Sequence, residues 1–253
     1  MKFTKMHGCG NDFIVFDEHD GRAPVDAARA RALCDRRTGI GADGVLVIGS
    51  PKGTRWPLVI YNADGSVADA CGNGSRCVAR YLLERYGGDA LELDTKSGLV
   101  RAWRDADGYT VELDAPQLGS SLRIAVGDRE YEARAVRVGN PNIVVFVDDP
   151  AHVDLEALAV ASTALAGPAN VAAVRGGGPA EITLRVHERG AGETLACGTG
   201  ACAAVAAAIA RGDVTSDTVR VRLPGGTLVV RVRGARYELA GPAEYVFQGD
   251  IKG

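Results

Sequence analysis

Ala70-Cys71-Gly72-Asn73-Gly74 returns 126 positions later as Ala196-Cys197-Gly198-Thr199-Gly200. A second pair keeps the same order, Gly10-Asn11-Asp12-Phe13-Ile14-Val15 against Gly139-Asn140-Pro141-Asn142-Ile143-Val144, offset by 129. Two matches at nearly equal offsets, in a chain of 253 residues, read as a duplicated unit of about 125 residues. The surroundings repeat as well. A strand-like run precedes each cysteine, Leu58-Val59-Ile60-Tyr61 and Ile182-Thr183-Leu184-Arg185-Val186. A polar, glycine-containing loop follows each, Ala63-Asp64-Gly65-Ser66 and Gly190-Ala191-Gly192-Glu193, and then Cys-Gly-x-Gly opens a helical stretch.

The first of these helices is expected over Ser75–Tyr86, with Cys77, Val78, Tyr81 and Leu82 at helical spacing. The second, Thr199–Ala210, is rich in alanine and apolar nearly all round, so it must be buried on every side. Each half then wraps sheet around one central helix. Further helices are expected at Val25–Arg37 and Asp154–Leu165. Strands are expected at Phe13–Phe16, Val45–Ile48, Leu91–Asp94, Val100–Trp103, Thr110–Leu113, Leu122–Val126, Ala135–Val138, Ile143–Val147, Val219–Leu223, Thr227–Val232 and Tyr245–Phe247. Many strands with few helices make the class α+β. Breaks near Ala115-Pro116 and Gly241-Pro242 divide the chain into domains 1–115 and 116–242, with the strand at 243–253 completing the first.

Apolar residues make up 46% and charged residues 24%, as in an ordinary globular protein. With 29 Lys and Arg against 32 Asp and Glu, the net charge is −3, so no basic field invites nucleic acid. No apolar run reaches the ~20 residues of a membrane span, and Met1-Lys2-Phe3-Thr4-Lys5 does not read as a secretory signal. A cytoplasmic location follows as the expectation. The six cysteines contain no Cys-x-x-Cys pair, and the four histidines are scattered, so a metal site is not expected. Cys34, Cys77 and Cys202 read as small core hydrophobes, Cys9 as loop filler, and the histidines as surface or satisfied groups.

Cys71 and Cys197 differ because the repeat places each at a helix start. There unpaired N–H groups and a partial positive charge bind anions such as carboxylates. The same field lowers a cysteine below the free value of about 8.5 and favours the thiolate. If the halves face each other across a cleft, two thiols flank one substrate carbon. That suits a two-base racemase or epimerase: one thiolate removes the α-proton, the opposing thiol delivers another, and the N–H groups stabilise charge building on the carboxylate. The scheme requires no cofactor.

At this point the chain resembles a known family, the diaminopimelate epimerases. The resemblance is carried by Lys5-Met6-His7-Gly8-Cys9-Gly10-Asn11-Asp12-Phe13, Gly41-Ala42-Asp43-Gly44, Asn62-Ala63-Asp64-Gly65-Ser66, Ala70–Arg76, Gly139-Asn140-Pro141 and Glu188–Gly200. It implies two similar domains, each a strongly curved sheet around a central helix, with the active site in the cleft between them. It implies interconversion of LL- and meso-diaminopimelate without cofactor, in lysine and peptidoglycan precursor synthesis. Cys71 and Cys197 would be the acid/base pair, Cys71 acting on the LL substrate and Cys197 on the meso one. The N–H groups of Gly72, Asn73, Gly198 and Thr199 would hold the reacting carboxylate. Asn11 and Glu188 would lie near the reacting amine, and Asn62, Asn140, Asn170 and Arg189 would hold the distal end. The expected partner is a small amino acid, with neither nucleic acid nor membrane, and a homodimer is left open.

Four positions depart from the family. Asn142 stands where members commonly carry His, so proton handling there is lost. Gly44 stands where some carry Gln, and Ala172-Ala173 follow Asn170-Val171 where a polar or aromatic residue is usual. These departures fall on the substrate-positioning side. The alternatives are a related racemase with another side-chain preference, a thiol redox protein built on Cys71 and Cys197, and a binding protein without activity.

Overall fold

A computed structural model describes residues 1–20 and 24–251. The chain divides into two compact units, Met1–Glu112 with Ala240–Gly253, and Leu113–Leu239. The first contains β1 (Lys2–Gly8), β2 (Asn11–Asp17), α1 (Ala27–Cys34), β3 (Gly44–Ile48), β4 (Arg55–Asn62), α2 (Gly72–Tyr86), β5 (Ala90–Thr95), β6 (Gly98–Asp105) and β7 (Gly108–Asp114), whose end crosses the boundary. The C-terminal strand Glu244–Asp250 also belongs to it; residues 252–253 of the expected strand lie outside the described residues. The second contains β8 (Gln117–Val126), β9 (Arg129–Val138), β10 (Asn140–Phe146), α3 (Leu155–Ala166), β11 (Asn170–Gly176), β12 (Glu181–Glu188), β13 (Gly192–Thr194), α4 (Gly198–Arg211), β14 (Thr218–Leu223), β15 (Gly226–Arg233) and most of β16 (Arg236–Gly241).

The pairing order repeats. In the first unit β1 and β2 are antiparallel, β2 and β3 parallel, β3 and β4 antiparallel, β4 and β5 parallel, and β5 and β6 antiparallel. In the second, β9 and β10, β10 and β11, β11 and β12, β12 and β14, and β14 and β15 follow the same alternation. The strand flanking β9 is β8, adjacent in sequence. Its counterpart beside β1 is the C-terminal strand, paired from Lys2↔Asp250 to His7↔Glu244. The end of the chain thus supplies the first unit with the strand that the second obtains locally.

The apolar runs lack alternation because both faces of these strands are covered. Ile14, Phe16, Val45 and Val47 pack with Ala30, Leu33 and Cys34 of α1. The opposite parity, Phe13, Val15, Leu46 and Ile48, is buried as well, and α2 packs against β2 and β3. The second unit matches: Ile143, Val145, Val171 and Ala173 meet Leu155, Leu158 and Ala159 of α3, while α4 packs against β9, β10, β11, β12, β14 and β15. Ala201 through Ala208 are all buried, as a helix without a polar face requires. Ala172 and Ala173, which depart from the family pattern, are 1% and 0% exposed and are packed in the core.

The helix expected at Val25–Arg37 is shorter. Asp26 caps its start by accepting from the Arg29 N–H at 2.8 Å. Its end is fixed by Asp35, whose carboxylate accepts from the N–H groups of Arg37 and Thr38 and from the Thr38 hydroxyl. A side chain that satisfies backbone donors itself competes with the helix and ends it. The strand Lys2–Gly8 was not expected. It buries Thr4 and Lys5 among apolar neighbours, which hides its pattern. Among the described residues no helix is long and apolar enough to cross a membrane.

Candidate active site

Among the described residues four α-helices use two kinds of N-cap. Asp26 and Asp154 cap α1 and α3 with carboxylate oxygens. Cys71 and Cys197 cap α2 and α4, each sulfur accepting from the N–H of the third helical residue, Gly74 or Gly200, at 3.4 Å. Both hold extended backbone, φ −146°, ψ 108° at Cys71 and φ −128°, ψ 116° at Cys197. Cysteine is a poor capping residue beside Ser, Thr, Asp or Asn. Its presence at both helices of the repeat, where the other two carry aspartate, is a local concession of stability of the kind found at functional sites.

In the first unit Asn11 is brought to α2 by the β1–β2 hairpin. Gly8 pairs with Asn11 across a two-residue turn in which Cys9 and Gly10 have φ 52° and 84°. Such left-handed turns match strand twist, although a non-glycine residue there costs about 1 kcal/mol. Asn73 donates its amide to Asn11 Oδ1 at 3.1 Å and accepts from Arg76 Nη2 at 2.9 Å. Arg76 is fully buried and also donates to the Gly72 carbonyl at 3.4 Å. A guanidinium therefore lies against the first turn of the helix capped by Cys71, adding to the anion-attracting field there. Asn62 sits at the end of β4, and its amide donates to Ser66 Oγ at 2.9 Å. Its hydrogen bond is to its own turn, apart from the bonded Asn11–Asn73–Arg76 group. At Gly44 a Cβ would stand 2.6 Å from the Tyr61 carbonyl oxygen, so this backbone admits no side chain without shifting.

Beside Asn11, Asp12 bonds to Lys5 at 2.6 Å and to Arg36 at 2.7 Å. Burial works to raise the Asp12 carboxyl, but hydrogen bonds from Arg36 and Lys5 outweigh it and hold the group at about 2. An unfolded aspartate titrates near ~3.9. A lowered folded value contributes stability above ~3.9 that is lost as pH falls through about 2. The contribution is on the order of 2 kcal/mol. The urea midpoint is expected to fall with acidification across this window, and to fall less steeply in Asp12→Asn.

The second unit gathers its expected residues more tightly. The Cys197 thiol donates to Glu188 Oε2 at 3.1 Å, and Glu188 Oε1 accepts from Thr194 Oγ1 at 2.6 Å. Thr199 Oγ1 lies 3.5 Å from the sulfur. Asn170 directs its amide N–H toward Cys197 Sγ at 3.9 Å and toward Asn142 Oδ1 at 3.5 Å, while its own oxygen accepts from the Arg189 N–H at 2.9 Å. Asn142, 2% exposed, donates to the Asn140 carbonyl at 3.0 Å. The asparagine at the departing position is thus a buried link between Asn140 and Asn170.

The expectation of an activated thiol requires correction at Cys197. Burial pushes this thiol well above its ordinary value, and the Glu188 carboxylate reinforces the shift. The Thr199 hydroxyl and Gly200 N–H lower it but do not compensate. Cys197 here donates to Glu188 as a thiol, because desolvation and the neighbouring carboxylate both disfavour its charged form. Cys34 and Cys77, pushed by burial to about 11 and about 12, are likewise thiols.

Gly200 explains the glycine in its half of the repeat. A Cβ there would meet Cys197 Cβ at 3.3 Å, Cys197 Sγ at 3.4 Å and Val186 Cγ2 at 3.3 Å. Gly200→Ala improves helix propensity by up to ~1 kcal/mol, which offsets the crowding in stability. The crowding still displaces the sulfur. The expected result is a melting temperature near wild type with turnover reduced about tenfold, ~1.4 kcal/mol in barrier.

A family model described as diaminopimelate epimerase matches residues 3–119 and 134–246. A diaminopimelate epimerase from Xanthomonas campestris pv. campestris is 40% identical, covering 99% of this chain and 96% of that protein. One from Xylella fastidiosa (strain M23) is 43% identical over 98% and 95%. Among solved structures, a Bacillus anthracis phenazine biosynthesis protein has a TM-score of 0.76 at 15% identity, covering 100% of this chain and 99% of that one. A hydroxyproline epimerase from Agrobacterium vitis, with bound trans-4-hydroxy-L-proline, has a TM-score of 0.75 at 18% identity, over 99% and 90%. These two structural likenesses concern the fold alone.

Proposed function

Because the chain belongs to the diaminopimelate epimerase family, we propose that it interconverts LL- and meso-diaminopimelate by proton transfer between the α-carbon and two thiols, Cys71 and Cys197. The observation that carries this reading is the repeated cysteine cap at α2 and α4. Each thiol stands beside the first N–H groups of its helix, those of Gly72 and Asn73 or of Gly198 and Thr199. A helix leaves these donors without intrahelical acceptors, which suits a carboxylate.

The reading assigns a direction to the protonation state described above. Cys197 carries its proton and donates to Glu188. Cys71, as thiolate, removes the α-proton of the LL substrate; the electron pair of the broken C–H bond spreads onto the carboxylate. The Cys197 proton then bonds to the carbon from the opposite face, leaving Cys197 as thiolate and Cys71 as thiol. The meso substrate runs the same steps in reverse. The proposal requires both sulfurs to reach one α-carbon. Asn11 and Glu188 would receive the reacting amine, and Asn62, Asn140, Asn170 and Arg189 the distal end. The substrate is a small amino acid, and no step in this scheme calls on a cofactor.

Proton NMR of LL-diaminopimelate in D2O tests the reading. Deuterium should replace the α-proton as the meso isomer forms. Lysine, ornithine, histidine and glutamate, assayed beside it, should exchange far more slowly. Faster exchange with one of them would assign the chain to a related racemase; no exchange with any would remove the catalytic reading.

A further inference from the structure

We propose that Asp43 is a positioning residue: it bridges Arg36 and Asn11 and locks the Asn11 amide in the orientation that α2 requires. This rests on the reading of Asn11 as a substrate contact. Asp43 Oδ2 accepts from Asn11 Nδ2 at 2.8 Å and from the Asp12 N–H at 3.2 Å. Its other oxygen, Oδ1, accepts from Arg36 Nη2 at 2.8 Å. The backbone answers in return, with the Asp43 N–H donating to the Asp12 carbonyl at 2.9 Å and to Asp12 Oδ1 at 3.1 Å.

The chemistry of the chain of bonds fixes every amide in it. Arg76 only donates, so the Asn73 oxygen faces it and the Asn73 N–H groups face Asn11. Both Asp43 oxygens accept, so Asn11 turns its N–H groups toward them and its oxygen toward Asn73. One N–H and one lone pair of Asn11 then remain for substrate, in a fixed sense. Arg36 supplies the anchor by donating to Asp12 and Asp43 with the same Nη2. An asparagine at position 43 has a single oxygen. Its NH2 group then takes the place of one of the two acceptor oxygens, so either Asn11 or the Arg36 anchor faces a donor and the lock on the Asn11 amide is lost or weakened.

A double-mutant cycle reads this directly, because residues acting through one another are not additive. Exchange at the α-carbon of LL-diaminopimelate is measured for wild type, N11A, D43N and the double variant. N11A and D43N should each lower kcat/KM about tenfold or more, and D43N should add nothing in the N11A background. A D43N enzyme equal to wild type, or losses that multiply in the double variant, overturns the proposal while leaving Asn11 as a substrate contact. An N11A enzyme equal to wild type overturns both. If D43N fails to fold, R36K takes its place in the cycle. Lysine keeps a charge near Asp12 but lacks the planar guanidinium that aims one Nη2 at Asp12 and Asp43 together, so its loss should likewise vanish in N11A.

Discussion

Cys71→Ser and Cys197→Ser are each expected to abolish epimerisation while leaving the protein at least as stable as wild type. The two halves of this expectation come from one geometry. Each sulfur caps a helix through a 3.4 Å contact with the third helical N–H. Serine makes the same bond with a better acceptor at a more favoured capping position, within the ~0.5–2 kcal/mol range of such caps. A hydroxyl, however, does not ionise near neutrality as a thiol can, so a serine cannot serve as the base. Turnover should fall by at least a thousandfold, about 4 kcal/mol in barrier. The single variants should also differ from each other in D2O. With Cys197 replaced, Cys71 can still exchange the α-proton of the LL substrate without inversion; with Cys71 replaced, Cys197 can do so only for the meso substrate. Full epimerisation by either variant would refute the two-base reading.

Arg189→Leu should cut kcat/KM for diaminopimelate ten- to a hundredfold, about 1.4–2.8 kcal/mol at ~1.4 kcal/mol per factor of ten. It should barely touch residual exchange of an amino acid lacking a distal carboxylate. Two arginines stand near the β12–β13 hairpin, and the structure separates them. Arg185 is engaged, its Nε and Nη2 each 2.7 Å from Glu193 and its Nη1 donating to the Pro150 carbonyl. Arg189 is exposed, and among the described residues its side chain makes no ion pair or hydrogen bond. Its backbone is held nonetheless, by Asn170 Oδ1 on its N–H at 2.9 Å and by the turn closed from the Ala191 N–H to the Glu188 carbonyl at 3.1 Å. A guanidinium on a fixed stem, not already paired, suits a carboxylate in fork geometry. Kinetics of both substrates on wild type and variant check this. A loss that falls equally on both would separate the distal carboxylate from Arg189.

Much of the fold was legible because it follows from local pattern. The runs Phe13–Phe16, Val45–Ile48 and Ile143–Val147 declare strands buried on both faces, and an alanine-rich stretch without a polar side declares a central helix. The repeated Cys-Gly-x-Gly was legible for the same reason, since a helix start is specified by adjacent residues. Lys2–Gly8 escaped because its buried Lys5 is tolerable only once Asp12 lies 2.6 Å away, a partner the strand itself does not contain. The early end of α1 depended on where the Asp35 side chain turned.

The sequence by itself determined the duplication, the class of fold, the two cysteines and the family, because each is written in residue identity and spacing. Only the tertiary structure decided the chemical state and company of those residues. Burial and Glu188 together push the Cys197 thiol up, against the Thr199 hydroxyl and the Gly200 N–H. Asn142 is a buried strut to Asn170, and Asp43 a clamp on Asn11, because β10, β11 and the segment before β3 carry them to partners many positions away. Charge state and amide orientation depend on desolvation and on distances between elements, and neither quantity is encoded in a local stretch of chain.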